Sequence, residues 1–210
     1  MSSKALLFIR RNSVGFILAA FLLVVFLLQR SYPLITTLLS VRTGGLEAYR
    51  FLGCLVIHGS WLHVCVNASA FIILLLGFGR KQAIQLVAQA IPVSLLAVWI
   101  YSETLMPAHA WLCGSSPLLF ALFGLIAWQE RKTSVFSLFG IRCLSLPPIP
   151  MLGVALLCDA ILSSLFFKSI AWPVHTLAGL GGLLTGVSIS VFQIVKQSKV
   201  CYCLKLKQKV

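Results

Sequence analysis

Ser116, His175, His63 and Asn67 are the residues whose types could do chemistry together. A serine hydroxyl is a weak nucleophile until a neighbouring imidazole takes its proton. Ser116 with His175 would supply that nucleophile and that general base. His63 and Asn67 are four residues apart, which puts them on one face of a helix. Both can donate hydrogen bonds, as an oxyanion hole requires. The chemistry is the cutting of an amide bond. Glu47, Glu103, Glu130 and Asp159 are the only carboxylates, and none is an obvious partner to orient His175. The expectation is a Ser–His dyad without an acidic third member.

The stretch Gly114-Ser115-Ser116-Pro117 heads an apolar run that continues through Gly124. A proline suits the first residue of a helix, because its fixed φ fits there and its missing N–H would be unpaired anyway. It also pushes the preceding residue out of the helical region. Ser116 is thus expected at a strand-like corner, its hydroxyl leading the helix. The plain alternative is an N-cap serine, since most Ser-Pro helix starts are only that.

The elements that must position these residues follow from composition. Of 210 residues, 60% are hydrophobic and 10% charged, too little polar surface for a soluble domain of this size. The net charge of +13 would suit nucleic acid, but the charges cluster between apolar runs and nearly vanish inside them. The fold class expected is all-α, a polytopic membrane bundle with six spans. The runs cover about 14–29, 56–79, 83–101, 116–128, 151–167 and 172–195. Lys4, Arg10 and Arg11 ahead of the first run resemble a signal peptide. Leu27-Leu28-Gln29-Arg30 is a poor cleavage exit, so that run is read as a retained span. Residues 30–55 form a long outer loop, and Pro92 is tolerable in a helix buried among neighbours. The organisation expected is a cytoplasmic segment over 1–13, a membrane domain over 14–195 and a basic cytoplasmic tail over 196–210.

Six spans put both ends on one side. That side carries Lys4, Arg10, Arg11, Arg80, Lys81, Arg131, Lys132, Arg142 and five tail lysines, which are 13 basic residues. The other carries Arg30, Arg42, Arg50 and Lys168, which are 4. The positive-inside rule puts both termini in the cytoplasm, here of a plasma (inner) membrane. Trp61, Trp99, Trp111 and Trp172 then fall near the outer face, where an aromatic belt belongs. The fourth run is short: Ser116 to Arg131 is 15 residues, or about 22 Å of helix against a hydrocarbon core of about 30 Å. The same ruler lifts Asn67 about 20 Å, His63 about 26 Å and His175 about 27 Å above the cytoplasmic edge. A hydroxyl, an amide and two imidazoles thus share the outer third of the membrane. Polar groups there are costly unless they meet one another or line a wet cavity.

These residues resemble a known family. The string from His58 through His63 to Asn67 looks like that of the rhomboid intramembrane serine proteases, with the family's two histidines and asparagine at its spacing. Gly114-Ser115-Ser116-Pro117 is similar to its Gly-x-Ser-Gly motif with the last position changed. Phe120 falls where the family has an aromatic that packs on the catalytic histidine. His175 followed by Ala178, Gly182 and Gly186 resembles its final-span motif, and Tyr49-Arg50 its outer-loop tryptophan–arginine pair. The resemblance covers about residues 44–190. It implies Ser116 as nucleophile, His175 as base, and His63, Asn67 and the Ser116 N–H as oxyanion donors. It also implies transmembrane protein substrates, cut near their outer ends. Pro117 replaces a glycine, Tyr49 a tryptophan, and Ala178 stands where glycine is common. Pro117 is the departure that bears on activity, and the alternative function is an inactive relative that only binds transmembrane helices.

Plainer readings stand beside these. Ala178, Gly182 and Gly186 lie on the face of His175, and such small-residue patterns serve close helix packing. His58 is read as structural, bonded near the outer loop, and His109 as solvated. A metal on His58, His63 and His175 is disfavoured, because no cysteine or carboxylate completes a ligand set. No metal or other cofactor is expected, and membrane lipid is the remaining partner. Asp159, alone in the fifth span, is read as neutral or hydrogen-bonded, with no partner in view. The seven cysteines fit no disulfide framework; Cys54 and Cys113 both lie near the outer side, where one bridge could form. Cys201 and Cys203 could carry lipid, while the tail lysines attract anionic lipid. A transporter is disfavoured, since charges other than Asp159 avoid the span centres.

Overall fold

A computed structural model describes residues 13–45, 47–132, 147–166 and 172–207. Lys4, Arg10, Arg11, Arg142, Cys143 and Lys168 lie outside these residues, as do the side chains of Cys201, Cys203 and the tail lysines. Six apolar helices carry the fold. They are α1 (Ser13–Ser31), α4 (Trp61–Leu75), α5 (Arg80–Thr104), α6 (Ser116–Gln129), α7 (Pro148–Phe166) and α8 (Trp172–Lys207). α1, α5 and the Trp172–Val195 part of α8 are long and apolar enough to cross a membrane, and α4, α6 and the Pro148–Ile161 part of α7 are shorter apolar stretches. Apolar side chains such as Ile17, Leu62, Leu157 and Phe192 face outward on these helices. A soluble protein would not show apolar surface on that scale, whereas lipid favours it. The protein is an integral membrane protein with an all-α bundle.

Two expectations about the elements are corrected. The second run is not one helix over 56–79. It is helical only over Trp61–Leu75, because Ser60 caps its start and the chain turns at Gly77, where φ is +94°. The depths reckoned back from Arg80 assumed a continuous helix and do not hold for α4. Ser116 is not at a strand-like corner; it is the first residue of α6, and the corner lies one step earlier, at Gly114-Ser115. The backbone of the tail is helical through Lys207, continuing α8. Pro92, by contrast, sits inside an unbroken α5.

The loop between α1 and α4 is folded. It contains the short helices α2 (Leu34–Leu39) and α3 (Ala48–Gly53) and the strand β1 (Val41–Arg42). β1 pairs antiparallel with β2 (Trp111–Leu112), with Val41 opposite Leu112. This ties the outer loop to the loop that leads into α6. The Arg42 guanidinium lies 4.4 Å from the centre of the Trp111 ring, a cation–π contact that closes the same join. Buried Arg50 donates to the Thr37 carbonyl at 2.8 Å and the Ser40 carbonyl at 3.0 Å, and pairs with Glu47 at 3.3 Å.

α6 is the central element. Leu118, Leu119, Ala121, Leu122, Leu125 and Ile126 are buried around its whole circumference, as expected of a helix surrounded by others. It packs on α4, α5, α7 and α8. The α6–α8 contact is backbone on backbone: a Cβ on Gly182 would strike the Ala121 carbonyl, and one on Gly124 would strike the Gly179 carbonyl. One turn further, Gly186 leaves room for the Trp128 ring, whose Nε1 donates to Ser190 Oγ at 2.8 Å. Small residues at this spacing let helices approach closely where lipid offers no hydrophobic drive between them.

Gly182→Val should therefore push α8 off α6 and lower stability by about 1–3 kcal/mol. Thermal unfolding in detergent checks this; an unchanged midpoint would mean the helices are not locked here.

Candidate active site

The two serines at the head of α6 decide between capping and chemistry. Ser115 is the N-cap and makes no side-chain capping bond, and Ser116 is the first helical residue. Ser116 Oγ lies 2.7 Å from His175 Nε2 on α8, and Ser115 Oγ lies 3.3 Å from His58 Nε2. Both hydroxyls are thus committed to imidazoles. The helix still begins well, because the Ser115 carbonyl accepts from the Leu119 N–H at 3.0 Å and Pro117 needs no donor in the first turn. Pro117 itself is buried.

His175 is held on two further sides. Phe120, one turn beyond Ser116, stacks on its ring with centroids 4.8 Å apart and planes 15° apart. On the other edge Nδ1 lies 2.7 Å from Asp159 Oδ2 on α7. Asp159 is thus hydrogen-bonded, as one of its readings had it, to a partner that was not in view; the expectation of a Ser–His pair with no acid beside it is corrected. Ser116, His175 and Asp159 form one continuous hydrogen-bonded line.

Gly114 shapes the approach to Ser116. Its φ of +124° is one that residues with a Cβ rarely adopt, and a Cβ there would lie 2.5 Å from His63 Cε1. Only glycine lets the His63 ring lie against this backbone. His63 is in the first turn of α4, where its N–H donates to the capping Ser60 Oγ at 3.2 Å. Its ring meets that of His58 edge-on, 5.0 Å between centroids.

Asn67 is buried one helical turn from His63, and its Nδ2 lies 3.0 Å from His58 Nε2. A carboxamide nitrogen carries two hydrogens. One directed at His58 leaves the second for the cavity that Asn67 lines together with Ser116. That cavity holds about 340 Å³ and is walled by apolar residues of α4, α6 and α7, among them Ala70, Phe123 and Ala155.

His58 is fully buried and joins the outer loop to the site. Its N–H donates to Gln29 Oε1 at 3.0 Å, and Gln29 Nε2 donates back to its carbonyl at 2.7 Å. Its ring then meets Asn67 and Ser115. Tyr49 is exposed, with the Arg50 guanidinium 5.4 Å from its ring centre, and the pair braces the outer loop. His109 is exposed in its loop.

Gln29 and Ser115 were not singled out from sequence. A buried glutamine ending an apolar span was the available signal for the first, and adjacency to Ser116 for the second. Cys54 and Cys113 are free thiols, so no bridge joins them. Burial pushes both thiols up from their ordinary range, Cys54 the further with Cys113 beside it.

Among protein families, the one described as Rhomboid domain matches residues 45–196. No curated protein matches the chain. The family match spans most of the chain, from the outer loop through the sixth apolar helix. It takes in Ser116, His175, Asp159, His63 and Asn67, and the chain therefore belongs to the rhomboid family.

Proposed function

We propose that this rhomboid protein is an active intramembrane serine endopeptidase that cuts transmembrane protein substrates. The observation that carries the reading is the 2.7 Å contact between Ser116 Oγ and His175 Nε2. His175 takes the hydroxyl proton as Ser116 Oγ attacks the scissile carbonyl carbon. The Ser116 N–H, His63 and the second N–H of Asn67 hold the developing oxyanion. Collapse expels the amine, which leaves with the proton from His175. Water, deprotonated by the same imidazole, then releases the acyl group. The apolar cavity beside Ser116 suits the side chains of a membrane-embedded substrate.

Substitutions test the machinery. Ser116→Ala and His175→Ala should each abolish cleavage of a single transmembrane substrate while the protein stays folded. The double variant should be no worse, because the two residues act as a unit. Asn67→Ala should be milder, losing about 10²–10³ in rate. Clear residual proteolysis by Ser116→Ala would end this reading.

The orientation proposed puts both termini in the cytoplasm and the cut near the outer face. Its support is the 13 basic residues on the terminal side against 4 opposite. Trp61, Trp99, Trp111 and Trp172 are exposed, as an interfacial belt would be. Reporter fusions after Lys81 and Lys132 should read as cytoplasmic, and one at Thr104 as external; an external signal at Lys132 would invert the assignment.

Pro117 favours the second reading, a relative that binds transmembrane helices without cutting them. In soluble esterases the N–H after the nucleophile helps hold the oxyanion, and proline has none. The donor set proposed here does not use that N–H. Proline also stiffens the turn that aims Ser116, which serves preorganisation. Pro117→Gly should therefore change the cleavage rate by less than about tenfold, or ~1.4 kcal/mol. An inert native protein switched on by Pro117→Gly would establish the non-catalytic reading.

A further inference from the structure

We propose that Asp159 is a positioning residue for His175, brought to it by α7. The inference rests on the protease reading above. An acid inside an apolar span is costly unless it has a partner. Asp159 is the one charged residue in α7 (Pro148–Phe166), and its carboxylate finds the imidazole 2.7 Å away. Neutral imidazole has one N–H and one lone pair, and what one nitrogen bonds decides which nitrogen carries the hydrogen. A carboxylate at Nδ1 accepts from an N–H there. That leaves the lone pair on Nε2, facing Ser116 Oγ at 2.7 Å. The Phe120 stack fixes the plane of the ring but not its rotation within that plane. The Asp159 bond supplies that missing constraint. When His175 takes the serine proton, the carboxylate stands beside the new positive charge, where it favours the ion pair.

The position of Asp159 along α7 adds a consequence. Met151, Ala155 and Asp159 are spaced by four, so they share one face of that helix. Met151 and Ala155 line the cavity that reaches Ser116. The face that walls the substrate space thus also orients the base. Any movement of α7 away from α6 and α8 withdraws the carboxylate from His175, so the base is aligned only while α7 is docked.

The test uses the full chain in detergent with one transmembrane substrate, at equal folded concentration set by thermal unfolding. Asp159→Asn keeps the shape and removes the charge. Its kcat should fall at least about 10²-fold, within the range for acid–base catalysis, with KM within about twofold. Asp159→Glu restores a carboxylate and should recover part of kcat. Proton spectra of the native protein should show a downfield imidazole N–H resonance that His175→Gln removes. This measurement needs no Asp159 variant to fold. An unchanged kcat in Asp159→Asn, or native spectra without that resonance, would overturn the inference and leave the Ser116–His175 reading standing. Equal losses in the Asn and Glu variants, with lowered unfolding midpoints, would reduce Asp159 to helix packing. A native protein that cuts nothing would remove the protease reading, and this inference with it.

Discussion

The approach of α8 to α6 at Gly182 and Gly124 sets everything that happens at Ser116. Backbone meets backbone there, with no side chain between. His175 is two turns from Gly182 along α8, and Ser116 is two turns from Gly124 along α6. A rigid contact at that point therefore fixes the distance between the two functional groups above it. A hydrogen bond of 2.7 Å has little tolerance, and a separation of even an ångström would break it. Packing between small residues also suits the medium, since apolar side chains gain nothing from burial against one another rather than against lipid.

The polar groups of the site bond mainly to one another, with His58 Nδ1 left without a partner among the described residues. Ser116, Phe120 and Asp159 enclose His175, while Ser115, Asn67 and Gln29 enclose His58. Each imidazole is held by groups from at least two elements, so neither ring can turn without losing bonds that lipid cannot replace. The two clusters meet at the head of α6, where successive serines point to different histidines. A turn that would ordinarily be closed by a capping hydroxyl is instead left to backbone and proline. The freed hydroxyls are what the site consists of.

The loop between α1 and α4 extends this order beyond the helices. Arg50 gathers the carbonyls of Thr37 and Ser40, β1 pairs with β2, and Gln29 grips the backbone of His58. The polar groups around Ser116 are thereby tied to a folded frame rather than to a free connection. On the opposite flank α7 closes the cavity and carries Asp159. One wall of the site is thus built from the loop frame and the other from a helix packed on α6 and α8.

Sequence by itself determined the class of the protein and put Ser116 and His175 at like positions along their helices, though not the residues of α4. Apolar runs bounded by charge define the helices, and rise per residue converts position into depth. That is why Ser116 and His175, 59 residues apart, could be paired before their contact was known. Spacing along a helix measures height and face but not which neighbour that face will meet. Asp159 looked partnerless for this reason, since its bond to His175 depends on how α7 rotates and leans against α8. The link from Ser115 to His58 likewise needed the true start of α6, which Gly114 sets through a backbone angle invisible in composition. The ends of α4 were misread because apolar residues continue past a cap and a turn, and hydrophobicity alone does not mark where helical hydrogen bonding stops. Tertiary packing decided those points: it selects among partners that lie at the same depth, and only the folded backbone brings them within reach.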